Sequence, residues 1–321
     1  MRATGVGSVP GEDVAEWGRV SLGQLDLPFV PELPERGVHA QMTGRSLALL
    51  DGLDADLQPA GWRVGVGSGV DHRRARSLLA QDLDTLEEIG SDHEGPLKQQ
   101  VAGPWTLAAT VELARGEKFL ADHGARRDLA ESLAIGVTAH VRDLRRRFPR
   151  AELVVQVDEP ALPAVLDAGI PTASGFGRHR TVHPPEADAH LRLVSDAIRS
   201  AGATPVVHVC ASDVPVALLR GAGFAGIGFD LALARPHDAW AEAFEAGVEL
   251  WVGAVPSTDP SPVPTSSVLI GRVDSFLSRL GFDEERADPR VVVSPSCGLA
   301  GATPQWARQA LALAANVGAR H

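Results

Sequence analysis

Eight short apolar runs rich in β-branched residues recur along the chain, and segments of helical periodicity separate them. We predict strands at 3–8, 27–32, 98–103, 152–158, 204–210, 225–230, 248–254 and 290–294. Helical patterns occupy about 71–90, 104–114, 124–148, 186–200, 213–220, 236–246, 266–280 and 304–318. This alternation is typical of βα units, in which the strands form a mostly parallel sheet.

Eight βα units in 321 residues predict an α/β fold, a single (β/α)8 TIM barrel forming one domain over residues 1–321. The alternation is interrupted between the second and third strands, where residues from about 34 to 97 form an insertion. Within this insertion we expect a short hairpin near Trp62 to Val70 and an acidic helix around Gln81 to Glu88.

The overall charge and hydropathy exclude two classes of partner. A formal net charge of −11 provides no basic face of the kind that nucleic-acid binding requires. No apolar run is long enough to span a bilayer, and the first residues lack the apolar core of a signal peptide. We therefore expect a cytoplasmic protein that has neither nucleic acid nor membrane as a partner.

Polar and titratable residues collect where the predicted strands end. In a TIM barrel the carboxyl ends of the strands form the active-site face, so these positions are the candidates for function. In chain order they are Gly7-Ser8, Glu32, Gly103-Pro104, Asp158-Glu159, His208 with Cys210, Asp230, Val255-Pro256-Ser257 and Cys297.

The most specific of these candidates is a set of metal ligands. His208 and Cys210 are two apart in a predicted strand and therefore share a face, and Cys297 is the only other cysteine. One imidazole and two thiolates are a soft ligand set of the kind that Zn²⁺ takes when a further position is left for a carboxylate, water or substrate. Asp230 is the best-placed oxygen ligand to complete the set. Alternatively, the cysteines are buried apolar residues and Asp230 caps a helix.

A second set of candidates would suit an amino-acid ligand. Asp158 either caps the helix that Pro160 can start or binds a substrate ammonium group. Glu32 is either a second substrate carboxylate or the first charge after a strand, and Arg36 could pair with it or with a substrate. The turn at Gly7-Ser8 resembles a backbone nest for a carboxylate.

Six motifs in order resemble the catalytic C-terminal barrel of cobalamin-independent methionine synthase, within the wider group related to uroporphyrinogen decarboxylase. They span nearly the whole chain. They are Val6-Gly7-Ser8-Val9-Pro10, Pro31-Glu32-Leu33-Pro34-Glu35-Arg36, Gly103-Pro104-Trp105-Thr106, Gln156-Val157-Asp158-Glu159-Pro160-Ala161-Leu162, His208-Val209-Cys210 and Ser294-Pro295-Ser296-Cys297-Gly298-Leu299.

The resemblance implies a zinc-dependent methyltransferase that converts homocysteine to methionine, similar to 5-methyltetrahydropteroyltriglutamate-homocysteine S-methyltransferase. His208, Cys210 and Cys297 would bind catalytic zinc, and the family's fourth ligand, a glutamate, would fall near Asp230. By the same resemblance, three residues would hold the amino and carboxylate groups of homocysteine: Ser8, Glu32 and Asp158.

The sequence departs from the family in two respects. The chain is roughly half of a full-length family enzyme and lacks its N-terminal barrel. It also reads Leu107-Ala108-Ala109 where the family's Ser-Trp would contact a pterin. The methyl donor therefore stays open between a folate and a corrinoid carrier.

Two other functions are compatible with the residues. A porphyrinogen-decarboxylase-like enzyme would place arginines at the strand ends to bind propionates, and would need no metal. A non-catalytic zinc-thiolate protein that stores metal or senses thiols would use the same His208, Cys210 and Cys297 on a barrel scaffold.

Overall fold

A computed structural model describes residues 1–65, 69–282 and 288–319. Its strands are β1 Arg2–Ala3, β2 Ala55–Gln58, β3 Gly61–Val64, β4 Gly95–Ala102, β5 Ala151–Asp158, β6 Thr204–Val209, β7 Gly226–Asp230, β8 Glu249–Val255 and β9 Val291–Pro295. Its α-helices are α1 Val14–Gln24, α2 Met42–Leu47, α3 Val70–Gly90, α4 Pro104–Thr110, α5 His123–Arg147, α6 Leu162–Leu166, α7 Pro184–Ser200, α8 Val216–Gly221, α9 Asp238–Glu245, α10 Ser266–Arg279 and α11 Pro304–Gly318.

Seven strands form a curled parallel sheet surrounded by helices, which confirms the predicted α/β class. The strand order is β1-β9-β8-β7-β6-β5-β4, so from β4 to β9 each strand lies beside its successor in the sequence. The remaining two strands, β2 and β3, form a separate antiparallel hairpin. None of the helices described in residues 1–65, 69–282 and 288–319 is long and apolar enough to cross a membrane.

The predicted second strand, 27–32, forms isolated bridges instead of a continuous ladder. Pro28 and Pro31 lack amide hydrogens, which interrupts regular pairing. The segment nevertheless bonds in two directions: the Glu32 N–H donates to Gly7 O at 3.1 Å, and the Val30 N–H donates to Lys98 O at 2.8 Å. It therefore connects the segment after β1 with β4, and an eight-stranded closed barrel stays a prediction.

The predicted helical patterns all correspond to helices, some of them shorter than expected. The pattern at 104–114 is helical only over Pro104–Thr110. Helix α1 was not predicted from the sequence, although Asp13 accepts a hydrogen bond from the Glu16 N–H in the manner of an N-cap. The short helix α2 was not predicted either, whereas α6 begins two residues after Pro160, where a helix start was expected to be possible.

In the predicted insertion at 34–97, the hairpin lies earlier than expected, at Ala55–Val64. Residues 66–68 of the predicted hairpin lie outside the described residues. The predicted acidic helix is the second half of α3. Whether the whole segment is an insertion into a barrel stays a prediction.

The sheet separates two apolar clusters. The larger cluster joins the helices to the sheet, and the smaller one consists of Leu27, Val154, Val206, Trp251 and Val292. Because side chains alternate along a strand, Gln156 and Asp158 share the face of Val154, and His208 shares the face of Val206. This face is therefore apolar near the amino ends of the strands and polar near their carboxyl ends.

Glu159 joins two neighbouring βα units. Its buried carboxylate accepts hydrogen bonds from the Trp105 N–H at 2.9 Å, the Thr106 N–H at 2.7 Å and the Thr106 hydroxyl at 2.8 Å. Gly103 leaves room for it, since a Cβ at that position would lie 2.3 Å from Glu159 Oε1. Glu159 thus accepts hydrogen bonds from free N–H groups in the first turn of α4, a helix that belongs to the neighbouring βα unit.

We expect Glu159→Ala to lower the free energy of unfolding by about 2–4 kcal/mol, because three buried donors lose their acceptor. Urea denaturation followed by circular dichroism measures this change. Glu152→Ala is the control, because Glu152 is exposed on the same strand. Equal effects of the two substitutions would contradict the capping role.

Candidate active site

The structure brings His208, Cys210 and Cys297 together at the carboxyl end of the sheet. Their ligand atoms all lie within 4.8 Å of one another, and the two sulfurs are 3.2 Å apart. His208 belongs to β6, Cys210 follows that strand, and Cys297 follows β9. Residues 87 positions apart in sequence therefore meet, as the strand-end pattern predicted.

The two thiols and the imidazole interact electrostatically. The hydrogen bond between the sulfurs lowers the pKa of Cys297 and raises that of Cys210, and His208 further favours the Cys297 thiolate. His208 is buried, and its Nε2 has no hydrogen-bond partner among the described residues. An unsatisfied imidazole nitrogen beside a thiolate is costly alone, and a soft divalent metal would satisfy both.

Glycines in β7 allow the imidazole to fit. Gly228 is the register partner of His208, and a Cβ on Gly228 would lie 2.9 Å from His208 Nδ1. Gly226 lies against Trp251 of β8, whose Nε1 would lie 2.8 Å from an added Cβ. The two glycines therefore leave space for inward side chains of the neighbouring strands.

Asp230 lies outside the group of three ligands. Its Oδ1 accepts from the Ala232 N–H at 2.8 Å, so its carboxylate stabilises the turn that follows β7. Burial raises the pKa of Asp230, and the Cys297 thiolate raises it further. The carboxylate is thus close enough to interact with the group electrostatically, and its role as the fourth ligand stays a prediction.

Asp158 lies beside the imidazole. It is the register partner of His208 on the adjacent strand, and its side chain is 7% exposed. Its Oδ1 accepts from Gln156 Nε2 at 2.7 Å. Burial raises the pKa of Asp158 to about 6, and the nearby His208 and Lys98 oppose that shift. Asp158 does not cap α6, whose N-cap is Ala161.

Glu32 is a second buried carboxylate. It is 5% exposed, and Arg45 Nε lies 3.7 Å from its Oε1. Burial raises the pKa of Glu32 to about 7, Arg45 opposes this shift, and the like charge of Asp158 reinforces it. Arg36 does not pair with Glu32, since its Nη1 lies 2.5 Å from Asp82 Oδ1. Asp158 and Glu32 therefore form a buried acidic pair without Arg36.

The turn at Gly7-Ser8 packs against the turn that carries Cys297. The Leu299 N–H donates to Ser8 O at 2.8 Å, and Ser8 Oγ would lie 2.0 Å from a Cβ on Gly298. Gly7 has a φ of +154°, and a Cβ there would lie 2.4 Å from Gln100 Nε2. The predicted substrate-binding turn is therefore adjacent to the candidate metal ligands, and both turns require glycine.

Lys98 is a buried residue that analysis of the sequence did not single out. It is fully buried, and its Nζ donates to Val6 O at 2.6 Å and to Gln156 Oε1 at 2.7 Å. Burial lowers the pKa of Lys98 to about 7, while Asp158 and Glu32 raise it. A lysine at an inward position of a predicted strand was the available clue, because such a charge needs buried partners.

A cavity of about 710 Å³ opens between the ends of β7, β8 and β9 and helix α10. Asp230 and Ser296 line it on the side of the sheet, and Phe276, Arg272 and Arg279 line it from α10. Its volume falls within the range of small-molecule sites. The cavity can therefore accommodate a small organic molecule beside Asp230 and Ser296, the residue that precedes Cys297.

The chain is similar to a known protein family. The family model described as cobalamin-independent synthase, catalytic domain, matches residues 90–320, more than two thirds of the chain. No curated protein sequence matches significantly. Among solved structures, similarity extends to 2,3-dimethylmalate lyase, a PEP mutase/isocitrate lyase superfamily member. The identity is 13%, over 91% of this chain and 76% of that chain, and the TM-score of 0.37 carries no argument.

We expect the protein to bind one equivalent of Zn²⁺, or of Co²⁺ as a spectroscopic probe, through His208, Cys210 and Cys297. Cys210→Ser and Cys297→Ser should each weaken binding by more than the roughly 10–100-fold that loss of a supporting residue costs. The sulfur-to-cobalt charge-transfer absorption should decrease in both variants. Competition with a chromophoric chelator measures the affinity.

His237→Asn is the matched control for this titration, because His237 is exposed and remote from the sulfurs in sequence. Asp230→Asn distinguishes the two roles of that carboxylate. Unchanged affinity in this variant leaves Asp230 as a turn-stabilising residue only. Full metal occupancy in both cysteine variants would contradict the metal site itself.

Proposed function

The chain belongs to the family of cobalamin-independent synthase catalytic domains, and from this membership we propose that it transfers a methyl group to the thiol of homocysteine, producing methionine. The observation that carries the proposal is the juxtaposition of two features. A His-Cys-Cys group suited to a soft metal lies beside Asp158, a buried carboxylate suited to an ammonium group. In this proposal, the segment 27–32 completes a TIM barrel, and residues 1–321 act as one domain.

Zinc is the proposed metal, because thiolate and imidazole ligands favour it over harder cations. His208, Cys210 and Cys297 would hold it, with Asp230 as a fourth ligand or as a support for one. When bound, the ion supplies Lewis acidity that lowers the pKa of a substrate thiol, so that a thiolate exists at neutral pH. The substrate needs an open or exchangeable position on the ion, so Asp230, if it is the fourth ligand, would have to give up its position to the substrate sulfur.

The buried carboxylates provide the other half of substrate recognition. Asp158 and Glu32 are both desolvated and carry like charges, and the nearby Arg45 and Lys98 offset only part of the cost, since both pKa values stay raised. An ammonium group between them would offset that cost and would be held by charge-assisted hydrogen bonds. The Gly7-Ser8 turn lies near Cys297 and would receive the substrate carboxylate through N–H groups and the Ser8 hydroxyl.

The chemistry of the step is a nucleophilic displacement. A new carbon–sulfur bond forms between the methyl carbon and the homocysteine sulfur, the bond from the donor to that carbon breaks, and its electron pair leaves with the donor. The thiol proton would pass to solvent before the displacement, so that the attacking sulfur is a thiolate. The protein's contribution is to orient the sulfur: Asp158, Glu32 and the Gly7-Ser8 turn fix the amino-acid end of the molecule.

The methyl donor is proposed to be a folate or a corrinoid carrier. The cavity lined by Asp230, Ser296 and α10 is large enough for a second organic molecule or for part of a carrier. Leu107, Ala108 and Ala109 are buried in α4 and present no hydrogen-bonding side chain to a pterin. This difference favours testing both donors side by side.

The reaction predicts methionine formation when zinc-loaded protein is mixed with homocysteine and a donor. Mass spectrometry should detect methionine with 5-methyltetrahydropteroyltriglutamate or with a methylcorrinoid, and Cys297→Ser should abolish it. The loss is expected because the sulfur would no longer be held as a thiolate. Tight zinc binding without methionine from either donor would favour the storage or sensor function. Activity that survives Cys297→Ser without zinc would favour a metal-free enzyme.

Substrate recognition predicts a specific role for Asp158. Asp158→Asn should weaken homocysteine binding by about 2–4 kcal/mol, because a buried ammonium group would lose its charged partner. Binding of 4-mercaptobutanoate, which lacks only the amino group, should change little. Calorimetry with both thiols measures the difference. Equal binding of both thiols by the unmodified protein would mean that the site does not recognise an amino acid.

A further inference from the structure

The side-chain ammonium group of Lys98 lies in the interior, on the inward face of the sheet, and it is surrounded by hydrogen-bond acceptors. Lys98 is fully buried in β4, and its Nζ donates to Val6 O, to Gln156 Oε1 and, at 3.3 Å, to Gln100 Oε1. An ammonium group has three donors and no acceptor. Three oxygens around it therefore use its full capacity, and none of its hydrogens is available to a substrate.

This arrangement fixes the orientation of two side-chain amides. Gln100 and Gln156 are register partners on β4 and β5, and each directs its carbonyl oxygen to Lys98. A glutamine amide can otherwise rotate by 180° and exchange its oxygen with its nitrogen. Because Lys98 only donates, the rotated form would place an amide NH2 against an ammonium group. Lys98 thus keeps the NH2 groups of both glutamines directed away from its own ammonium group.

One NH2 group contacts a buried carboxylate, and the other holds the segment that carries the second carboxylate. Gln156 Nε2 donates to Asp158 Oδ1 at 2.7 Å and to Val6 O at 3.0 Å. Gln100 Nε2 donates to Val30 O at 2.9 Å, two residues before Glu32, and the Gln100 amide lowers the pKa of Glu32. Gln156 therefore fixes the orientation of Asp158, and Gln100 fixes the backbone next to Glu32.

We infer that Lys98 is a positioning residue for an amino-acid substrate. It holds Gln156 so that this amide orients Asp158 towards the substrate ammonium group, and it holds Gln100 so that this amide fixes the segment that carries Glu32. The inference rests on the proposed function. Lys98 does not touch the substrate itself. It acts through Gln100, two residues further along β4, and through Gln156 on the neighbouring strand β5. All three side chains lie on the inward face that alternation along the two strands creates.

The test compares two thiols that differ only in the amino group, homocysteine and 4-mercaptobutanoate, in zinc-loaded protein. Lys98→Met keeps the length of the side chain and removes its donors. It should reduce the preference for homocysteine by about 10–100-fold, the effect of a hydrogen bond to a charged group. Zinc affinity and the affinity for 4-mercaptobutanoate should stay within about twofold of the unmodified protein. A change of about twofold in affinity is smaller than the loss of one hydrogen bond would cause.

A second variant keeps the test decisive if Lys98→Met does not fold. Gln156→Met removes the amide between Lys98 and Asp158 and should cause the same loss of preference. The matched control is Gln99→Met: Gln99 is a buried neighbour on β4, but it lies on the opposite face and its Nε2 donates to Gln100 O. This control should retain the preference of the unmodified protein.

The outcomes separate this inference from the proposed function. If the unmodified protein binds both thiols equally, the amino-acid substrate is wrong. If it prefers homocysteine and both Lys98→Met and Gln156→Met retain that preference, only the role of Lys98 is refuted. A parallel loss of both thiols and of zinc would assign Lys98 to general stability and would also overturn the inference.

Discussion

Side chains alternate between the two faces of each strand, and the candidate site depends on this constraint. Parallel strands end at the same edge of a sheet, so inward residues at those ends meet even when they are distant in sequence. The register of β5, β6 and β7 places Asp158 beside His208 and His208 beside Gly228. A shift of one residue in any of these strands would turn the polar groups towards the helices.

Burial of charge is the energetic cost of this arrangement. Lys98, Glu32 and Asp158 each have a pKa displaced towards the neutral form, because the interior penalises ionisation. Lys98 and the two carboxylates reduce this cost by Coulombic attraction, and Gln156 hydrogen-bonds to both Lys98 and Asp158, whereas the two carboxylates repel each other. Buried polar groups of this kind seldom add net stability, so their presence is better explained by binding than by folding.

Glycine provides the space that these side chains need. Gly228 admits the imidazole of His208, Gly298 admits the hydroxyl of Ser8, and Gly103 admits the carboxylate of Glu159. In each case an added Cβ would lie under 3.0 Å from a polar atom. The polar interior therefore depends on missing side chains in neighbouring segments as much as on the polar residues themselves.

The sequence by itself determined the α/β class, most of the helices and the convergence of His208, Cys210 and Cys297, because hydrophobic periodicity and strand-end positions are local properties. Tertiary structure alone decided which groups pair across long distances: Arg36 with Asp82, Glu159 with the first turn of α4, and Lys98 with Gln156. It also decided that residues 27–32 form isolated bridges, although the sequence contains the two prolines that interrupt the pairing. Such pairings depend on register and on free space between segments, and neither can be deduced from one segment of sequence.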